Sequence, residues 1–590
     1  MFLTSSLLSA GVVLLLFTPI RHVSATEQEQ TSARRPNFLF IMSDDQDKRM
    51  GSLDYQPLLD KHIRQHGTEF RSHYCTVAQC CPSRASLWTG KAAHNTNVTD
   101  TRPPYGTAGW PQFIKEGHNE NYLPIWLQDA GYSTYYVGKM MNGLNTTNYD
   151  KPYPAGWNGT DFLVSPNLYQ YYNASFQRNK EPPRYETDYS TDLVTRSAIS
   201  FLDEAAAAAK DGGQPFFMAV SPIGPHSAAI VTPERPYFFL PEAAKRHQNL
   251  FNNVTVPRTP HFNPAGGNAG AASWIKDLPL LNASEVAYGD EFYRLRLEAL
   301  QAVDELIDAL MARLGALGVL NDTYVFYTSD NGFHIGQHRL QPGKSCGYEE
   351  DILVPFFVRG PGVARNLTVD WPTTHTDIAP TIFELAGIGL KGDFDGVPMP
   401  VRENDVAEAQ KEGVGKRRYE HVTVEFWGQG QDEGKYAARK YCSDKDNTTY
   451  KFLRLVGDSY SFAYSVWCTN EHELYDVQND PYQLNNLLSP ALQSQNITLL
   501  SRALPNVVHR LDSLLMVLKS CAGTSCTQPW KVLHPAGDVN TLVDALNKKY
   551  DGFYASQKRV FFDECAPGYI RAVEGPMEVL SWQGGVGYGT

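Results

Sequence analysis

Pro36-Asn37-Phe38-Leu39-Phe40-Ile41-Met42 forms a continuous apolar run near the start of the chain. A strand with one face in water alternates polar and apolar residues. This run does not alternate, so it reads as a strand buried on both faces. Pro215 to Val220, Thr323 to Thr328 and Leu353 to Val358 are strand-like in the same way, and Ser133 to Val137 is β-rich. Helical stretches lie between them. Tyr122 to Gly131 has helical spacing and Leu193 to Ala209 reads as a helix. Leu300, Val303, Ile307, Leu310 and Leu314 step by three and four along a long amphipathic helix. Strands alternating with helices predict an α/β fold with a mostly parallel central sheet flanked by helices. In such sheets, sites form in loops after the carboxyl ends of strands.

The Pro- and Gly-rich segment Val256 to Ala272 lacks periodicity and reads as a long loop over the site. Around Val401 to Arg418 the chain becomes charged and short of apolar residues, and shorter strand-like pieces follow. The expected division is a signal peptide over 1–25, a catalytic domain over 35–400, a linker over 401–418, and a small C-terminal α+β subdomain with its tail over 419–590.

The signal peptide rests on the short apolar run Leu7 to Phe17 and the small-x-small pattern Val23-Ser24-Ala25. No Lys or Arg precedes the run. As an anchor it is too short to span a bilayer comfortably, and no later segment is long and apolar enough to cross one. Ten Asn-x-Ser/Thr sequons fit a glycosylating route: Asn97, Asn145, Asn158, Asn173, Asn253, Asn282, Asn321, Asn366, Asn447 and Asn496. The expected localisation is secretion through the ER pathway, with vacuole, lysosome or cell wall as alternative destinations. A net charge of -12 argues against a nucleic-acid partner, although a local basic pocket can still take a small anion.

The nine cysteines are Cys75, Cys80, Cys81, Cys346, Cys442, Cys468, Cys521, Cys526 and Cys565. An oxidising compartment predicts disulfides, and the odd number leaves at least one thiol free, modified or paired between chains. Their spacing is not that of a zinc site. Cys521 with Cys526 and Cys442 with Cys468 are plausible pairs.

Two acidic clusters each follow a strand-like run: Ser43-Asp44-Asp45 and Ser329-Asp330-Asn331-Gly332. Alone, either one reads as a turn or a helix cap. Converging at one sheet edge, they offer hard oxygen ligands suited to Ca²⁺ or Mg²⁺. A third element changes their weight. The segment Cys80-Cys81-Pro82-Ser83-Arg84-Ala85-Ser86-Leu87-Trp88-Thr89-Gly90 resembles the signature of the type I, formylglycine-dependent sulfatase family. That signature is Cys-x-Pro-Ser-Arg with Thr-Gly five residues on, and both parts are in register.

The resemblance extends over most of the chain. Gly138-Lys139, Pro225-His226, Asp330-Asn331-Gly332, Lys344 before Gly347-Tyr348-Glu349-Glu350, and His375-Thr376-Asp377-Ile378-Ala379-Pro380-Thr381 are all similar to family segments. So is the closing Glu473-Leu474-Tyr475-Asp476 with Asp480-Pro481 and Asn486-Leu487. One departure stands out. Many members continue Gly-Lys-x-His, whereas Met141 and Asn142 follow here. This Gly-Lys-x-x-Asn form resembles the N-acetylglucosamine-6-sulfatase branch.

The resemblance implies an alkaline-phosphatase-like fold and a secreted, arylsulfatase-type sulfuric ester hydrolase. Cys80 would be oxidised to formylglycine by a formylglycine-generating enzyme. Asp44, Asp45, Asp330, Asn331 and the modified Cys80 would hold Ca²⁺, with Mg²⁺ as the alternative. The hydrated aldehyde would attack sulfur and then expel sulfate. Arg84 would hydrogen-bond the diol. Lys139, His226, Lys344 and Asn142 would contact substrate, and either His226 or Lys344 would protonate the leaving oxygen. His94, His334 and His338 lie near the motifs and are open between site and structure. Three other readings remain open at this point: an exo-acting sulfatase on a 6-sulfated amino sugar, a phosphate or phosphonate ester hydrolase, and a non-catalytic binding protein of the same fold. If Cys80 is converted, eight cysteines remain, a number that can all pair.

Overall fold

A computed structural model describes residues 35–101, 109–232, 236–413, 419–436, 448–492, 494–566 and 568–584. The expected signal peptide, Asn447 and Cys442 lie outside these residues. Among the described residues, a ten-stranded sheet is built from β1 (Asn37–Ser43), β2 (Thr68–Phe70), β3 (Ser133–Lys139), β4 (Gly159–Leu163), β5 (Ala174–Arg178), β6 (Arg184–Glu186), β7 (Phe216–Ser221), β8 (Thr323–Ser329), β9 (Phe356–Arg359) and β10 (Leu367–Val369). The order is β10-β2-β9-β8-β1-β7-β3-β4-β5-β6. The inner five, β8-β1-β7-β3-β4, run parallel. Antiparallel pairings begin beyond them, at β8 with β9 and at β4 with β5.

The run that dictated this sheet is buried along its whole length. Phe38, Phe40 and Met42 enter the core on one face, which includes Trp88 of helix α1 (Cys80–Thr89). Leu39 and Ile41 enter the core on the other, with residues of α2 (Ser190–Gly212) and α3 (Ala283–Ala316). Asn282 starts α3 with a capping box, its side chain accepting from the Ser284 and Glu285 amides. The last apolar run forms a strand only from Phe356, because Pro355 has no amide to give the ladder.

A separate antiparallel sheet follows: β11 (His421–Phe426), β12 (Tyr450–Val456), β13 (Ser461–Trp467) and β14 (His472–Asp476), paired in that order. Helix α4 (Leu504–Leu518) packs its Leu511, Leu514 and Leu515 into the same core as Leu453 and Tyr464 of this sheet. The charged stretch read as a linker holds a ten-residue helix, Glu403–Glu412, which buries Val406 and Ala409; 414–418 lie outside the described residues. None of the described helices is long and apolar enough to cross a membrane.

Cys521 and Cys526 are bridged as expected. Cys468 is not paired with Cys442: it is bridged to Cys565, 97 residues on. Both pair members line one core under the C-terminal sheet, a proximity that sequence spacing does not encode. Full pairing of the other eight cysteines also fails, since Cys75 and Cys81 are buried thiols outside any disulfide. They pack as small apolar residues in two cores.

Candidate active site

Strand register brings the two acidic loops together. Ser43 pairs with Ser329 at the carboxyl ends of β1 and β8, so Asp44-Asp45 and Asp330-Asn331 emerge side by side. The Asp45 amide donates to Asp330 Oδ1 at 3.0 Å, and Asp45 itself takes a left-handed φ of 65° that turns its carboxylate inward. Lys139 is the last residue of β3, beside them on the same edge. Gly138 before it has φ 104°, and a Cβ there would sit 2.1 Å from the Ser221 carbonyl oxygen. Only glycine permits this close approach of β3 and β7. His226 follows β7 by five residues. Lys344 lies in a two-residue strand, Gly343–Lys344, paired with Gln431–Asp432 from far along the chain.

Cys80 is the first residue of α1, where unpaired backbone amides favour negative charge. Its Sγ accepts from Lys344 Nζ at 3.2 Å and lies 3.8 Å from Asp45 Oδ1. The rest of the signature ties this helix to the loops. Ser83 Oγ donates to the Asp330 carbonyl at 2.5 Å and meets His375 Nδ1 at 2.8 Å. Arg84 Nε donates to Asp330 Oδ2 at 2.8 Å, and its Nη1 to the Lys139 carbonyl. Gly90 ends the helix at φ 67°, where an added Cβ would meet Phe394 at 2.6 Å.

Three carboxylates therefore face three cations in a buried site. Lys139 Nζ donates to both oxygens of Asp44, at 2.8 and 2.6 Å, and Lys344 Nζ to both oxygens of Asp45, at 2.6 and 2.7 Å. Burial penalises both ammonium groups, but the carboxylates outweigh it and hold them cationic. Burial and the adjacent Asp330 push the Asp44 carboxyl up to about 7, against the pull of Lys139 and Arg84. Asp45 and Asp330 are also raised by burial, but facing cations bring each below the usual carboxylate range. Burial pushes the Cys80 thiol up, so the unmodified residue is a poor thiolate nucleophile.

The donor set fits a hard cation. Asn331 Oδ1 is buried without a hydrogen-bond partner among the described residues. Ligand atoms of Asp44, Asp45, Cys80 and His226 lie within 4.8 Å of one another. Two of these four are carboxylates, and with the neighbouring Asp330 carboxylate and the unpaired Asn331 oxygen they form an oxygen-rich set that suits Ca²⁺ or Mg²⁺ better than the soft metals.

The structure brings Asp44, Asp45, Cys80, Arg84, Lys139, His226, Asp330, Asn331 and Lys344 to one place. His226 Nε2 is 3.4 Å from Asp45 Oδ2, and its Nδ1 is 2.6 Å from the Ser227 carbonyl, which fixes the Nδ1–H tautomer. Asn142 reaches this group indirectly: its amide donates to the Tyr169 hydroxyl at 2.8 Å. The Tyr169 ring stacks on His226 at 4.1 Å and carries Lys139 Nζ 4.7 Å from its centroid. The three remaining histidines have structural partners. His94 is bound by Glu425, His334 by Asp351, and His338 stacks on Tyr348. Val256 to Ala272 is a loop that braces the continuation of the second acidic loop: His261 bonds Glu350 at 2.7 Å and Asn268 donates to the His338 carbonyl.

Tyr169 and Glu433 escaped sequence reasoning. Glu433 is wholly buried, accepts from Ser227 Oγ and lies 3.6 Å from Lys344 Nζ. Neither residue sits in a motif, and Glu433 lies beyond the expected domain boundary. His375 was visible as part of a family segment but had no assigned role.

The family model for sulfatases matches residues 36–388. An arylsulfatase of Volvox carteri is 39% identical over 90% of this chain and 82% of its own length. An N-acetylglucosamine-6-sulfatase of Capra hircus is 33% identical over 84% of this chain and 86% of its own. A solved protein in complex with its substrate D-glucosamine-2-N,6-O-disulfate superposes with a TM-score of 0.60 at 23% identity, covering 78% of this chain and 95% of the other. The chain belongs to the sulfatase family and has its alkaline-phosphatase-like fold. It is a sulfuric ester hydrolase.

Proposed function

We propose that this chain is a secreted arylsulfatase that acts through formylglycine made from Cys80. The catalytic domain spans 35–400, with the C-terminal α+β subdomain from 419. The observation that carries the reading is the position of Cys80 Sγ: at a helix start, 3.2 Å from Lys344 Nζ and beside Asp45. Oxidation of this thiol by a formylglycine-generating enzyme supplies an aldehyde whose hydrate offers an attacking hydroxyl. Ca²⁺, or Mg²⁺ in its place, held by Asp44, Asp45, Asp330, Asn331 and the modified residue, supplies Lewis-acid polarisation.

The chain's own residues do the rest. Arg84 holds Asp330 in place, and its Nη2, 3.7 Å from Asp44 Oδ1 and without a hydrogen-bond partner among the described residues, is the guanidinium nitrogen that would face the hydrated aldehyde. Lys139 and Lys344 neutralise sulfate oxygens; charge-stabilising donors aimed at a transition state are each worth about 10²- to 10³-fold. Burial lowers His226 to about 4, so at neutral pH it carries a proton only on Nδ1, which points to Ser227. Lys344 therefore carries the proton suited to the leaving oxygen. His226 Nε2, stacked against Tyr169, orients substrate. Secretion is supported by the sequons: seven of the nine that fall in described residues are exposed, and Asn97 and Asn145 are half-buried.

Peptide mass spectrometry across residue 80 of the secreted protein tests the modification; an aldehyde is expected, and an intact thiol in active protein would refute it. Turnover of 4-nitrophenyl sulfate should far exceed that of 4-nitrophenyl phosphate and fall on chelation. Full activity after thorough metal removal would contradict the ligand set.

A further inference from the structure

Two histidines and a glutamate meet outside the catalytic group, where three separate segments cross. His338 lies in the turn after the second acidic loop, at a left-handed φ of 52°. Its amide donates to the His261 carbonyl at 2.7 Å, and Phe262 bridges Gln337 beside it. This short ladder sets the two imidazoles against each other, with ring centroids 5.2 Å apart. Glu350 comes from the other side. Its carbonyl accepts from the Phe333 amide at 2.9 Å, and its carboxylate Oε1 lies 2.7 Å from His261 Nε2.

All three residues are buried. One ring nitrogen of each histidine and one oxygen of Glu350 lie within 4.8 Å of one another. Ligand atoms around a tetrahedral Zn²⁺ with bonds of about 2.0–2.1 Å stand about 3.3 Å apart, so an ion fits among them after side-chain shifts of about 1 Å. Nitrogens are also left over. His338 Nε2 and His261 Nδ1 are buried without hydrogen-bond partners among the described residues. Stacking on Tyr348, with centroids 4.3 Å apart, holds the His338 ring in place and uses neither nitrogen. A cavity of about 190 Å³ adjoins the cluster, lined by His261, Glu350, Thr259, Arg49 and Tyr482 among others. It offers an entry path and room for a water at a fourth position. Arg49 stands at its edge, anchored on the Pro481 carbonyl, with Nε 4.0 Å from Glu350 Oε1 and so beyond hydrogen-bond reach of it.

We propose that His261, His338 and Glu350 form a further metal site, for a borderline divalent cation of the Zn²⁺ class. Two imidazole nitrogens and one carboxylate suit Zn²⁺, whereas Ca²⁺ and Mg²⁺ favour oxygen-rich sets such as the one around Asp45. The ion clasps the long loop Val256 to Ala272 onto the segment that joins the second acidic loop to Lys344. None of its three ligands belongs to the catalytic group, so its work is to hold that loop. The site does not depend on the sulfate-ester reading above.

The test is a calorimetric titration of Zn²⁺ onto chelator-stripped Cys80→Ala protein in excess Ca²⁺. Neither an unconverted thiol at residue 80 nor the oxygen-rich site then competes for the ion. One Zn²⁺ per chain is expected, together with a rise in the unfolding midpoint. Two further substitutions are made in the same background. His338→Phe keeps a ring stacked on Tyr348 and removes the nitrogens; Glu350→Gln keeps a partner for His261 and removes the charge. Each should weaken Zn²⁺ binding by at least about 100-fold and abolish the rise in midpoint. The metal-free midpoint shows that each variant folds. Failure of the Cys80→Ala protein to bind Zn²⁺ would overturn the site. So would Zn²⁺ bound as tightly by both folded variants.

Discussion

Two of the buried clusters of charge among the described residues repay comparison, one around Cys80 and one where His94 meets the C-terminal sheet. In the second, Glu425 accepts from His94 Nδ1 at 2.6 Å with one oxygen and from Lys451 Nζ at 2.9 Å with the other. His94 Nε2 meets the Cys521 carbonyl at 2.8 Å, and Lys451 also pairs with Glu574 at 3.2 Å over the face of Trp427. Both nitrogens of His94 and both oxygens of Glu425 are used up within the protein. Around Cys80, Asn331 Oδ1 and Asn142 Oδ1 are buried without hydrogen-bond partners among the described residues, and Arg84 Nη2 is held only by an ion pair to Asp44 at 3.7 Å. Leaving buried polar atoms unpaired costs stability, so such atoms are expected where something else will bind. The cluster around Glu425 joins two parts of the chain, with Glu574 Oε2 held by its ion pair to Lys451; the one around Cys80 is the candidate site.

The largest break in this comparison comes from Cys80→Ala. It should reduce kcat by at least about 10³-fold, read with 4-nitrophenyl sulfate, while leaving the unfolding midpoint near that of the native protein. Glu425→Ala should do the reverse. It strands Lys451 and His94 in a dry junction, and breaking a buried pair costs about 3–5 kcal/mol of stability, measurable by denaturant unfolding. Activity per folded molecule should survive. Retained stability in that variant would show that the closed cluster does not hold the junction.

Stability should also depend on pH through the closed cluster. Burial alone would raise Glu425, but His94 and Lys451 outweigh it and hold it at about 2, below the ordinary 4.5. Its contribution is present above the ordinary value and is lost as pH falls toward 2. His94 is lowered by burial but raised overall by Glu425. Its contribution is present below the ordinary 6.5 and is lost as pH rises through the raised value. The cluster's own contribution, read as the difference in unfolding midpoint between the native protein and Glu425→Ala, should therefore be largest between about pH 4.5 and 6.5. A difference that keeps growing to pH 8 would contradict this. The smallest effect should come from Asn142→Ala, which acts through the Tyr169 hydroxyl. Losing one such hydrogen bond predicts less than about a tenfold change in kcat/KM.

Much of the candidate site was legible because its pieces are local. Asp44-Asp45, Cys80 to Gly90, Gly138-Lys139 and Asp330-Asn331 are short segments at strand ends or a helix start, and Gly90 and Gly138 take backbone conformations that favour glycine. Tyr169 and Glu433 were not legible. A tyrosine in an irregular stretch and a glutamate beyond a boundary look like any others until packing sets them against His226 and Lys344. The Cys468–Cys565 bridge was hidden for the same reason.

By itself, the sequence determined the kind of sheet, its covered faces and the chemical types gathered at its edge. Apolar periodicity and motif spacing are properties of neighbours along a chain. Only the tertiary structure decided which charges close on each other and which stay open, that Asn142 donates to the Tyr169 hydroxyl, and that Tyr169 stacks on His226. Those outcomes depend on contacts between residues hundreds of positions apart, set by how the layers pack and invisible to any local pattern.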